Sequence, residues 1–201
     1  MDAFENFNKA PPGKRQAVLN AGFVCFGRDG YQKTAMSEIA KTAGVSKAAL
    51  FHYFGTKKAL YAYLFKFSCA EIAKQIQTGT DDFFESIWLG SEIKMRVMAI
   101  YPGMYDFLLS IVKEDNDNLT NELRTYNTEQ VSTATATLFG GVNWKKLKPE
   151  VDKQMAIELV SYVSSGYIRD HAGKEPPDVI ASKLKEYLKL LRKAIYREEY
   201  L

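Results

Sequence analysis

Apolar residues along this chain recur at three- and four-residue spacing throughout, and no stretch alternates with the two-residue period of a half-buried strand. Residues 1–12 read as a loose tail, closed by Pro11-Pro12-Gly13. A first helix is expected over Lys14 to Asp29, with Val18, Ala21, Gly22, Cys25 and Phe26 inward and Gly30 ending it. Thr34 is placed to cap a second helix whose stripe is Ile39, Ala40 and Ala43. Gly44 can take the left-handed turn that stops it, Val45 plugs the corner, and Ser46 caps a third helix over Lys47 to Tyr53. Leu50 and Phe54 then face the core, with Phe51 read as packing, while Lys47, Ala48, Ala49, His52 and Tyr53 stay outward.

Beyond Gly55-Thr56 the pattern continues as a long helix from Lys57 to Gln77, with Leu60, Tyr63, Leu64 and Phe67 in its stripe. Breaks at Thr78-Gly79-Thr80 and Tyr101-Pro102-Gly103 frame a helix over Asp81 to Ile100, its apolar side assigned to Phe84, Ile87, Trp88, Met95, Met98 and Ala99. A short helix follows from Met104 to Val112. The polar run Glu114 to Asn118 lacks the glycine an EF-hand loop needs and reads as a solvated turn. Helices over Asn118–Phe139, Pro149–His171 and Pro176–Tyr196 complete an all-α chain of about nine helices.

Two helices joined by a short glycine turn form a helix-turn-helix, whose second helix enters the DNA major groove. The organisation expected is a three-helix DNA-binding domain over 1–56 and a helical ligand-binding and dimerisation domain over 57–201. Charge agrees: residues 1–60 carry nine Lys/Arg against four Asp/Glu, whereas residues 61–201 carry 18 against 20. A basic head on a slightly acidic body suits a reader joined to a regulatory part. Leu159, Val163 and Tyr167 on one late helix, with Ile180, Leu184, Leu188 and Leu191 on the next, form stripes that can close a four-helix bundle about a two-fold axis. Large amphipathic side chains, Trp88, Met95, Met98, Tyr101, Tyr105, Leu108, Tyr126 and Phe139, are candidates to line a cavity for a small apolar or aromatic ligand. Glu92 and Asp106 are expected at the surface. Cys25 and Cys69 read as buried thiols.

Catalysis needs a positioned base, nucleophile or metal. The body offers a single histidine, His171, and neither a His/Cys cluster nor a glycine-rich phosphate loop, so neither enzyme chemistry nor a metal or cofactor is expected. With no apolar leader and no membrane-spanning run of about 18 residues, the chain is expected in the cytoplasm.

Arg15, Val18, Ala21, Phe26, Gly30-Tyr31, Thr34, Ile39-Ala40, Ala43 to Ser46, Leu50 to Phe54, Lys57 and Leu60 resemble the DNA-binding domain of the tetracycline-repressor (TetR) family of bacterial transcription regulators. The resemblance covers about a quarter of the chain. Gly22, Cys25, Ala48 and Phe51 depart mildly from the family pattern. It implies a homodimer on a palindromic double-stranded operator, released when a small-molecule inducer binds the C-terminal domain; an activator on the same fold is the alternative. It further implies that Thr34, Tyr53 and Lys57 meet phosphates. Lys47 is suited to guanine O6/N7, Ala48 and Ala49 to close approach and thymine methyls, and Ser46 and His52 lie on the same face.

Overall fold

The computed structural model describes residues 4–113, 123 and 132–201. They form two compact units, residues 1–76 with 92–134, and residues 77–91 with 135–201. This division by packing falls elsewhere than residue 56, the boundary expected from sequence.

The first unit begins with α1 (Glu5–Asn8) and α2 (Pro12–Lys33), continues through α3 (Met36–Ala43), α4 (Lys47–Phe54) and α5 (Lys57–Gln75), and holds the second half of α6 (Phe83–Ile100) and α7 (Met104–Lys113). Pro12 sits in the first turn of α2, where its missing N–H costs nothing. Helical geometry in α2 stops at Gly30, with φ 73°. Residues 4–10, expected to be a loose tail, are instead a packed element. Phe7 is fully buried, its ring 4.7 Å from Phe54, 5.3 Å from Tyr63 and 5.5 Å from Tyr53. Phe4 stacks edge-on against Tyr63 at 4.9 Å, and the Tyr63 hydroxyl donates to Asn8 Oδ1 at 3.0 Å. The Arg15 guanidinium donates to the Asn8 carbonyl and fastens the segment to α2. Two aromatics three residues apart were the available signal, overshadowed by the polar residues around them.

The core beneath is aromatic. Phe107 on α7 meets Phe23, Phe26 and Tyr61 with centroids 5.4, 6.3 and 5.1 Å away. Gly103 brings α7 this close to α2: its φ is +79°, and a Cβ there would lie 2.8 Å from the backbone of Val24. A side chain at Gly103 is therefore excluded twice, by conformation and by space.

The second unit contains the first half of α6, residues 135–138 of a helical stretch over 132–138 that we label α8, then α9 (Lys153–His171) and α10 (Pro177–Ile195). The expected start of α9 at Pro149 is corrected: Asp152 caps the helix by accepting from Met155 N at 2.8 Å, and a 3-10 turn occupies Trp144–Lys146. Phe83, Phe84, Val142, Leu147, Ala156, Val160, Leu188, Ile195 and Tyr196 form its core. Asp82, 3% exposed, organises the polar side of that core. Its Oδ1 accepts from Phe84 N and Glu85 N at 3.0 and 3.2 Å, capping α6, while its Oδ2 lies 2.9 Å from the Arg192 guanidinium. The Tyr196 hydroxyl accepts from Phe83 N at 3.0 Å, and burial pushes this phenol up to about 12.

The apolar stripes of α9 and α10 divide. Leu159 (36% exposed) faces solvent together with Met155 and Tyr162, the latter 74% exposed. Ile180 and Leu188, expected on that same surface, are 4% and 8% exposed and lie inside the chain itself. Val163, Tyr167, Leu184 and Leu191 are half-buried. The outer apolar positions of α10 are Val179 and Leu190 instead.

Phe7→Ala is expected to cost about 3 kcal/mol in urea unfolding, the lower end for emptying an aromatic core site. A loss under 0.5 kcal/mol would mean that α1 contributes no packing.

Candidate nucleic-acid interface

The α3–turn–α4 segment is built from local rules. Gly44 adopts the left-handed conformation (φ 65°, ψ 31°), and Val45 N donates back to the Ala40 carbonyl at 3.0 Å, closing the helix end. Nothing lies within 4 Å of where a Gly44 Cβ would be, so its backbone angle alone selects glycine. Ser46 Oγ then accepts from Ala49 N at 3.0 Å and starts α4. Leu50 and Phe54 anchor the helix, 0% and 5% exposed. Lys47, Ala48 and His52 are exposed, Ala49 and Tyr53 half-buried, as expected for an outward face. Phe51 is not: it was read as packing, yet it is 41% exposed, with Lys47 Nζ 5.8 Å from its ring centroid. Its i, i+4 relation to Lys47 was the signal that placed it outside.

Two side chains expected at the phosphates turn inward. Thr34 is 1% exposed, and its hydroxyl donates to the carbonyls of Gly30 and Cys25 at 2.7 and 3.1 Å. It does not cap α3; Ala35 occupies that position and offers no side-chain bond. Having just left a helix that ended at Gly30, the chain presents carbonyls that need donors, and the nearest hydroxyl supplies one. The Lys57 ammonium meets three more carbonyls, those of Tyr31, Thr34 and Gln32, at 2.8, 3.1 and 3.3 Å, and lies 4.5 Å from the centroid of the Tyr31 ring. All three ammonium donors are thus engaged within the fold. Thr56 caps α5 beside it, accepting from Ala59 N at 3.0 Å.

The charge on this face is sorted by its partners. Arg28 is held by Asp29 at 2.6 Å and by Glu38, which raises the guanidinium pKa and lowers that of Asp29. Lys47 and Lys41 remain exposed on α4 and α3. A cation bordered by a methyl, an aromatic ring and an imidazole can read base edges and thymine methyls, and it has no geometry for bond-breaking chemistry.

The cavity candidates are not gathered in one unit. Met98, Tyr101 and Leu108 pack against the first core, while Phe139 packs against the second and Trp88 carries the Lys185 ammonium 4.8 Å above its ring. Tyr105 is half-buried. Met95 is 51% exposed, because the inward side of α6 is set by Ile93 and Val97. Tyr126 lies outside the described residues. Asp106 and Glu92 are exposed. His171 stacks on Tyr167 at 4.0 Å with Nδ1 2.9 Å from the Tyr167 carbonyl, so that nitrogen carries a proton. Among the described residues no group of three or more His, Cys, Asp or Glu could hold a metal ion, and no helix is long and apolar enough to cross a membrane.

Comparison with known proteins bears on the same residues. Residues 18–64 match the family model described as bacterial regulatory proteins, tetR family. The HTH-type transcriptional regulator RutR of Escherichia coli (strain K12) is 28% identical over 171 residues, 82% of this chain and 78% of the relative. The HTH-type transcriptional repressor AcnR of Corynebacterium glutamicum is 30% identical over 98 residues, 49% of this chain and 47% of the relative. Among solved structures, native NalD, the secondary repressor of the MexAB-OprM multidrug efflux pump in Pseudomonas aeruginosa, shares the fold with a TM-score of 0.67. That likeness covers 92% of this chain and 97% of NalD at 16% identity, and it speaks to fold alone.

Lys57→Ala is expected to lower the melting temperature by several degrees, because three carbonyls lose their donor, and to weaken binding to all duplexes alike. A variant with wild-type stability and altered sequence preference would assign Lys57 to base reading.

Proposed function

We propose that this chain, which belongs to the tetR family of bacterial regulatory proteins, represses transcription as a homodimer on a palindromic operator and is released by a small molecule held in its helical body. It is a DNA-binding transcriptional regulator and not an enzyme. The finer reading is supported first by the outward face of α4. Lys47 can donate to guanine O6/N7, while Ala48, Ala49 and the exposed ring of Phe51 can meet thymine methyls. His52 and Tyr53 border the same face, and Tyr53, Ser46 and the N-terminus of α3 can approach phosphates. Thr34 and Lys57 take a different part: they hold the turn that presents α3 to the backbone. Repression, rather than activation, is supported by AcnR, whose name describes a repressor.

Dimerisation is supported by the exposed side of α9, where Met155, Leu159 and Tyr162 lie at i, i+4 and i+7, and by Val179 and Leu190 on α10. Large apolar side chains left exposed in this way support the reading of an interface. A two-fold dimer must hold its two α4 helices about 34–36 Å apart, or a multiple of that, to meet successive major grooves. A ligand that prefers another spacing lowers operator affinity, and DNA lowers ligand affinity by the same factor.

Selection of duplexes from a random pool is expected to enrich a palindrome with half-sites about one helical turn apart. Failure to enrich any sequence at low salt would refute specific reading by α4. Lys47→Ala should relax specificity at one position per half-site and cost roughly 1–3 kcal/mol. Leu159→Arg with Tyr162→Arg should give folded monomers by light scattering; a dimer that survives both would locate the interface elsewhere.

A further inference from the structure

α1 fixes one ring of α4 from outside that helix. The segment is itself fastened on two sides: the Arg15 guanidinium of α2 donates to the Asn8 carbonyl, and the Tyr63 hydroxyl of α5 donates to Asn8 Oδ1 at 3.0 Å. The place of Phe7 is thus set by α2 and α5, and α4 packs against it. Phe7 is fully buried, and among the described residues its ring meets three others. Two of them, Phe54 at 4.7 Å and Tyr63 at 5.3 Å, pack as any core pair does. The third is Tyr53, with centroids 5.5 Å apart and ring planes at 57°.

Tyr53 differs from the other two in what its polar end does. Tyr53 is half-buried. Among the described residues its hydroxyl has no hydrogen-bond partner, and no buried side-chain oxygen or nitrogen lacks one, so the Tyr53 oxygen reaches solvent. The Tyr63 hydroxyl in the same cluster is already engaged by Asn8. Tyr53 therefore has an apolar body held by protein and a donor left open beside the outward face of α4. The rings of His52 and Phe54, 5.9 and 6.3 Å away, are its chain neighbours and move with it. Among the described residues, Phe7 is the only ring from another element that meets Tyr53.

We propose that Phe7 is a positioning residue for operator binding: it holds the Tyr53 ring so that the phenol donates to a phosphate of the DNA backbone beside α4. The inference rests on the reading of α4 as the DNA-facing helix. A tyrosine free to turn about its side-chain bonds loses that freedom on binding, and affinity falls accordingly. A ring already fixed by Phe7 has no such freedom to lose. The contact is made to the backbone, so it favours one placement of α4 on the duplex and carries no sequence information. α1 thus sets DNA affinity through α4.

The palindrome enriched from a random pool supplies the probe. Its binding to the full chain is measured by fluorescence anisotropy for wild type, Phe7→Leu, Tyr53→Phe and the double variant, at a temperature where circular dichroism finds all four folded. Tyr53→Phe is expected to weaken binding about tenfold, as for one hydrogen bond to a charged acceptor. Phe7→Leu is expected to weaken it about threefold with Tyr53 present, and to change nothing further in the Tyr53→Phe background. Base preference and the slope of affinity against salt should stay those of wild type, because a neutral phenol releases no counterion. Phe7→Met replaces Phe7→Leu if the latter does not fold. Equal losses in both backgrounds would make Phe7 a purely structural residue. Wild-type affinity in Phe7→Leu or in Tyr53→Phe would break the link outright. If the wild-type chain enriches no duplex, the reading of α4 falls and this inference with it.

Discussion

The presentation of α4 depends on how the chain turns from α2 into α3. Helical geometry ends at Gly30, and the carbonyls left at that end point where the next helix must begin. Burying such carbonyls without donors costs about 1–3 kcal/mol each. Thr34 from within the turn and Lys57 from the start of α5 together supply the donors, and the Tyr31 ring receives the ammonium from one side. The closure joins three elements through groups that cannot be replaced by apolar ones of the same shape. It fixes the start of α3 against α5, and α4 follows through the Gly44 turn with no free hinge between them.

The aromatic cluster on the other side of α4 has a complementary part. Phe54 and Tyr53 lie between the helix and α1, so the rings of Phe4 and Phe7 support the helix from behind while its front stays open. Aromatic pairs at these spacings add about 0.5–1.5 kcal/mol each beyond burial of area. Rigid aromatic support of this kind suits a surface that must meet base edges in one orientation, because looseness in α4 would have to be frozen out on binding.

Most of the helical architecture was legible in the sequence because it rests on local rules: periodicity for α2 to α7, a glycine angle for the turn, and Ser46 as a cap. What was not legible depended on contacts distant in sequence. Lys57 and Tyr31 are 26 residues apart, and a lysine stem reaches either solvent or a distant carbonyl with equal ease. Ile180 and Leu188 belong to a stripe that serves a partner or the chain's own core with the same spacing; Asp82, Arg192 and Tyr196 draw α10 onto α6 and decide for the core. Met95 shows the limit of apolarity as a guide. Ile93 and Val97 take the inward side of α6, and the methionine between them is left 51% exposed.

The first unit also ties α5 to α2 away from the DNA-facing turn. α5 runs 19 residues, roughly 28 Å at 1.5 Å per residue, from Lys57 at the turn to its last turn. Midway along it, Tyr101 packs edge-on to Phe67 at 5.2 Å and to Phe23 at 6.0 Å, touching α5 and α2 at once. These are the two helices whose ends Lys57 and Thr34 lock together, so the pair is held at two places along its length. In a closely packed core, helices held in this way shift as whole elements and not residue by residue.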